Sequence, residues 1–124
     1  MNTEQVARRL VELCREGKGD QAQNELYAAD AESVEAPGSM MPGASGVKGM
    51  DAIRKKGREF NDSIKEVHGG SVGDPIVCGN WFAVTMTMDA TFKDQRGRVN
   101  MQEICVYHVR NGKIVREQFF YDVG

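Results

Sequence analysis

Val6, Leu10, Leu13 and Cys14 recur at the spacing of one helical face, so the chain opens on an amphipathic helix with Thr3 as its N-cap. "GKG" at residues 17–19 breaks that pattern. Asp20, with Gln23 three residues on, resembles a capping box and opens a second helix through Leu26 and Tyr27. Residues 36–46, "APGSMMPGASG", are rich in Pro and Gly and read as a loop. A third helix follows, with Ile53, Gly57, Phe60 and Ile64 on one face. After Gly70 the period changes to two. In "NWFAVTMTMDATF", Phe82, Val84, Met86 and Met88 point one way and Ala83, Thr85, Thr87 and Asp89 the other. "CGNW" is a tight turn before this strand and "KDQRGR" the turn after it. Two further strands fill "MQEICVYHVRNGKIVREQFFYD". Helices first and a meandering antiparallel sheet afterwards make an α+β pattern, in one domain spanning residues 1–124.

Composition narrows the function more than the fold. A net charge of −2 provides no basic footprint for nucleic acid. No apolar run is long enough to span a bilayer, and the N-terminal residues lack the apolar core of a signal peptide. Three widely spaced cysteines, Cys14, Cys78 and Cys105, suit reduced thiols in a cytoplasm. His68 and His108 are far apart and there is no CxxC pair, so a metal site has little support, though carboxylates could still bind one.

The last hairpin carries the candidate chemistry, because Glu103 and Glu117 sit among Cys105, Tyr107, Phe119 and Tyr121. Its register depends on "RNGK". A two-residue Asn111-Gly112 turn pairs Arg110 with Lys113. A three-residue loop with a bulge pairs Val109 with Lys113. A one-residue slip turns a strand over. The three-residue loop is preferred, because it gathers Cys105, Tyr107, Val109, Val115, Phe119 and Tyr121 on one face with both glutamates. In that register Glu117 opposes Cys105, and the glutamates are diagonal neighbours about 7–8 Å apart at the backbone. Carboxylates in a partly dry, apolar setting resist ionisation, which suits a general acid or base. The plainer alternative is that they are solvated, or paired with Arg8, Arg9, Arg54, Arg58 or Arg116.

"LYAADAESVEAPG", "GMDAIRKKGREF" and "VYHVRNGKIVREQFFYD", in this order after the N-terminal helix, resemble the SnoaL-like, ketosteroid-isomerase-like branch of the nuclear-transport-factor-2-like superfamily. The resemblance spans nearly the whole chain. It implies a cystatin-like, cone-shaped α+β barrel in which a strongly curved antiparallel sheet wraps three N-terminal helices. It puts Glu103 and Glu117 on the pocket face with Val84, Met86 and Met88. Leu10, Tyr27 and the "SMMPG" loop with Met40 fall near the mouth, and the convex face commonly forms a homodimer. It also implies three positions for isomerase catalysis. These fall at Leu10 for a tyrosine, Ala36 (one residue after Glu35) for the aspartate base, and Cys105 for a protonated aspartate. All three are vacant, which argues against steroid Δ-isomerase activity.

Two functions remain open. One is a cofactor-independent acid/base enzyme acting on a small, partly apolar organic molecule, of the isomerase, cyclase, dehydratase or hydrolase type. Glu117 or Glu103 would be its base, His68 and Glu35 further candidates, and Tyr107 and Tyr121 hydrogen-bond donors. The other is a dimeric binding module that holds a small molecule in the same pocket, against Phe119, Cys105, Met86 and Met88.

Overall fold

The computed structural model describes residues 1–41 and 43–123. Helix α1 (Thr3–Arg15) is capped one residue earlier than expected. Asn2, not Thr3, accepts from the Gln5 backbone, and the Gln5 side chain reaches back to Asn2, completing a capping box. Helix α2 (Gly19–Leu26) has no such box, and its N-cap is Lys18. Tyr27 leaves the helix and starts strand β1 (Tyr27–Val34). Short β2 (Val47–Lys48) precedes α3 (Met50–Asp62), which stops before Ile64; Ile64 begins β3 (Ile64–Val72). Strands β4 (Ile76–Cys78), β5 (Trp81–Phe92), β6 (Arg98–Arg110) and β7 (Lys113–Phe120) complete the chain.

One sheet runs β2-β1-β7-β6-β5-β3, with β4 also on β5. It curls without closing into a barrel, since β2 and β3 end the path. It is mixed, not wholly antiparallel: β1 lies parallel to β7, with Ser33 beside Glu117. That pairing joins residues 84 positions apart, beyond the reach of local periodicity.

The concave face follows the alternation of β5. Phe82 and Val84 are buried, and Phe82 stacks on Tyr107 with ring centroids 4.7 Å apart. Val6, Leu10 and Leu13 of α1 and Leu26 of α2 close one end of the cone over them. Each of these large side chains contributes roughly 1.5–3 kcal/mol by leaving water. Leu10 is therefore core and not the rim of a mouth.

The final hairpin differs from the expected register in an instructive way. Arg110 pairs with Lys113, so the turn has two residues. Asn111 (φ 51°) and Gly112 (φ 74°) are both left-handed, as a type I′ turn requires. One pair further on, Val109 faces Ile114 while His108 faces Arg116, leaving Val115 as an extra residue. This bulge reverses the parity of β7 beyond it. Glu117 and Phe119 thus share a face with Glu103, Cys105 and Tyr107, although the turn is the shorter one. The partners move: Glu117 faces Tyr107, Phe119 faces Cys105, and that second pair separates the two glutamates. They are not diagonal neighbours. The two-residue turn, by setting Ile114 opposite Val109, points Ile114 inward, where it is fully buried against the core.

Candidate functional site

The open end of the cone is polar where the helix-plugged end is apolar. Strand β1 starts this, placing Ala31, Ser33 and then Glu35 inward at alternate positions, all buried. Helix α3 supplies Lys56, which lies three residues after buried Ile53 and four before Phe60, on the face that packs against the sheet. Strand β7 adds Glu117, β6 adds Glu103, and Tyr121 follows β7.

These side chains form one connected network. Tyr27 donates its hydroxyl to Glu117 Oε1, and Ser33 donates to Glu117 Oε2 at 3.2 Å. Lys56 Nζ reaches Ser33 Oγ at 2.6 Å and Glu35 Oε2 at 2.5 Å. Tyr121 donates to the other Glu35 oxygen at 2.9 Å, and Ser39 Oγ lies 2.9 Å from the Tyr121 hydroxyl. Lys56 also sits 5.2 Å from the centre of the Phe119 ring. Glu103 stands apart. Its hydrogen-bond partner among the described residues is the Cys105 thiol at 3.5 Å, a weak donor.

Burial is the main force on the titrating groups. It pushes Glu117 above the ordinary carboxylate value, against the pull of Tyr27, Lys56 and Ser33. It pushes Glu103 up as well, with less to oppose it. Burial holds Tyr27 and Tyr107 protonated and raises Tyr121 to about 12. The Cys105 thiol is raised by the same cause, so it is packing and not a nucleophile.

The sign for stability follows. The unfolded chain releases the Glu103 proton near pH 4.5, the folded chain only at higher pH. Between these values the folded state holds more protons, so stability falls as pH rises through that window. Glu25 and Asp94, held down to about 2 by hydrogen bonds from Arg9 and Arg96, act oppositely and at lower pH. The melting temperature of a Glu103→Gln variant should therefore gain on that of the wild type as pH rises from about 4.5 toward neutrality. Calorimetry at both ends of the range checks this.

Of the residues singled out in the sequence, Glu35, Glu103, Glu117, Tyr27, Tyr107, Phe119, Tyr121 and Cys105 share the concave side, with Val84, Met86 and Met88 on its wall. Tyr27 lies deep, on Glu117, and not at a rim. His68 does not join them. It lies mid-strand in β3, exposed, with Nε2 2.7 Å from Thr91 Oγ1, because a register shift there turns it to the outer surface. Met40 is 96% exposed and points to solvent; its neighbour Met41 reaches Tyr121, with sulfur 3.4 Å from the hydroxyl. Pro42 of the same loop lies outside the described residues. The arginines pair elsewhere: Arg8 with Glu4, Arg9 with Glu12 and Glu25, and Arg116 with Glu32. Ser33 and Lys56 escaped the sequence reading. The inward alternation Ala31-Ser33-Glu35 and the Ile53-Lys56-Phe60 spacing were the signals that could have found them. Among the described residues no group of three His, Cys, Asp or Glu side chains is placed to hold a metal.

The profile of the SnoaL-like domain family matches residues 1–121. A solved structure from Mesorhizobium loti, described as a proposed SnoaL-like polyketide cyclase, is 36% identical; the alignment covers 98% of this chain and 100% of that one, with TM-score 0.88. A ketosteroid-isomerase-like protein from Catenulispora acidiphila, solved in complex with trimethylamine, is 17% identical, with 98% and 88% covered and TM-score 0.72. TerC, co-crystallised with polyporic acid, is 16% identical, with 95% and 89% covered and TM-score 0.71. These last two share the fold. No curated protein sequence matches the chain. A family match over residues 1–121, with a 36% identical relative of the same length and fold, establishes that this chain belongs to the SnoaL-like domain family.

Proposed function

We propose that this protein is a cofactor-independent acid/base enzyme that takes a small, partly apolar organic molecule on its concave face, with Glu103 as the proton-transfer group. The observation that carries the reading is the inequality of the three carboxylates. Glu35 and Glu117 are each satisfied by two internal donors, whereas half-buried Glu103 has a thiol. A carboxylate raised by burial and short of donors is suited to take or give a proton near neutral pH. Phe119 and Met86 supply an apolar wall beside it. The small-molecule complexes of the two fold relatives and the cyclase description of the 36% identical one agree with this class of ligand and reaction. Steroid Δ-isomerisation is disfavoured, because Leu10, Ala36 and Cys105 occupy the positions such chemistry would use. The three cysteines are free thiols, in keeping with a cytoplasmic setting.

A binding module is the second reading, favoured by the closed network around Glu117 and Glu35. Native mass spectrometry of the purified protein identifies the molecule it retains. Incubation of that molecule with the protein in deuterated water then separates the readings. Deuterium entering a carbon position supports proton transfer, and binding without exchange sinks the enzyme.

We further propose a homodimer through the convex face. Ile104, Phe120 and Trp81 are 49%, 39% and 45% exposed there, with Val106 half-buried among them. Such a patch rarely stays wet. Ile114 does not join this face; it is buried in the core. Sedimentation is expected to give twice the chain mass; a clean monomer at micromolar concentration would count against the dimer.

A further inference from the structure

We infer that Lys56 is the positioning residue of this site: its ammonium aims the Ser33 hydroxyl at Glu117 and anchors Glu35, which leaves Glu103 as the carboxyl of the concave face free to exchange a proton. The inference deepens, and rests on, the reading of Glu103 as the proton-transfer group.

The direction of the chain follows from what each group can donate. An ammonium has donors and no acceptor. Ser33 Oγ, 2.6 Å from Lys56 Nζ, must therefore accept from it. A hydroxyl carries one hydrogen, and the acceptor within reach of Ser33 is Glu117 Oε2 at 3.2 Å. The order Lys56 to Ser33 to Glu117 is thereby fixed. Lys56 gives a second hydrogen to Glu35, and its remaining side faces the Phe119 ring. Its side chain is only 10% exposed, so the charge acts with little screening by water.

The other groups around it complete the assignment. Tyr27 donates to Glu117 and Tyr121 to Glu35, so each of these carboxylates accepts two directed hydrogen bonds; at Glu117 they oppose the upward push of burial. From β6, Glu103 and Cys105 face the same space. On its own helix, Lys55 and Glu59 pair with one another outside. Lys56 opposes the burial that raises Glu117, directly and through Ser33; it also pulls Glu103 down, as the smallest of the influences there and with no hydrogen bond to carry it. Lys56 thus decides which carboxyl is left free to exchange a proton, without itself touching the bound molecule.

Carbon-detected NMR titration of the glutamate carboxyls reads this directly. Lys56→Met should move the Glu117 midpoint up by about one unit or more, and Lys56→Arg should keep it within about half a unit of wild type. Ser33→Ala, which cuts the relay and spares the Lys56–Glu35 pair, should raise Glu117 and leave Glu103 in place. In the exchange assay, Lys56→Met should shift the acid limb of the pH profile upward by about one unit, with Lys56→Arg restoring it. A lysine that merely holds the fold would lower the amplitude and leave the limb where it is. If Glu117 titrates unchanged in Lys56→Met, the inference fails; if Lys56→Met does not fold, an unmoved Glu117 in Ser33→Ala sinks it equally. These titrations need no substrate. Loss of the Glu103 assignment, seen as full exchange by Glu103→Gln, is therefore distinguishable from loss of the role given to Lys56.

Discussion

Glu103→Gln lowers the exchange rate or turnover of the retained molecule by about 10²-fold or more, with fold and affinity kept. The amide has the shape of the carboxylate and cannot carry its proton. Little structural change is expected, because Glu103 takes no part in the Tyr27, Ser33 and Lys56 network. Its contact is with the Cys105 thiol at 3.5 Å, which a glutamine oxygen can still accept. Rates on the retained molecule, with circular dichroism as the folding control, make the comparison. A rise in KM with kcat unchanged would move Glu103 from chemistry to binding.

Glu117→Ala costs about 3–5 kcal/mol of stability, while Glu103→Ala costs less than about 1 kcal/mol. The difference lies in what each truncation leaves behind. Without Glu117, the buried hydroxyls of Tyr27 and Ser33 lose their acceptor, at roughly 1–3 kcal/mol each, and a cavity opens beside Tyr107. Glu103 is half-exposed, and its loss strands only a thiol. Against a total of about 5–15 kcal/mol for a domain of this kind, the first change is severe. Urea unfolding of both variants measures it. Adding Tyr27→Phe to Glu117→Ala should return part of the loss, because it removes one stranded hydroxyl. Equal losses at Glu103 and Glu117 would defeat the division into a chemical and an anchoring carboxylate.

What the sequence determined by itself was the set of faces. Period two in β5 assigns Phe82, Val84, Met86 and Met88 to one side, and helical spacing assigns Val6, Leu10 and Leu13. Local alternation puts Glu103, Cys105 and Tyr107 on one face of β6, and Glu117 and Phe119 on one face of β7; whether those faces coincide depends on the register between the strands. Each of these faces is a short-range property, since a side chain's direction follows from the residues next to it. The turn was not settled that way: Asn111-Gly112 makes a two-residue type I′ turn, both residues at positive φ, and not the three-residue loop preferred from the sequence.

The tertiary structure decided the rest. Val115 bulges because the core accepts Val109 and Ile114 together and still requires Glu117 inward; no local pattern records that demand. His68 turns outward because β3 shifts register against β5. The parallel pairing of β1 with β7 brings Ser33 to Glu117 across 84 residues, and α3 carries Lys56 across 21 residues to Glu35. Ser33 and Lys56 are ordinary polar residues in their own segments. They become parts of a proton-holding site only where segments far apart in the chain are packed into one dry space, and that packing energy belongs to the whole fold and not to any window of sequence.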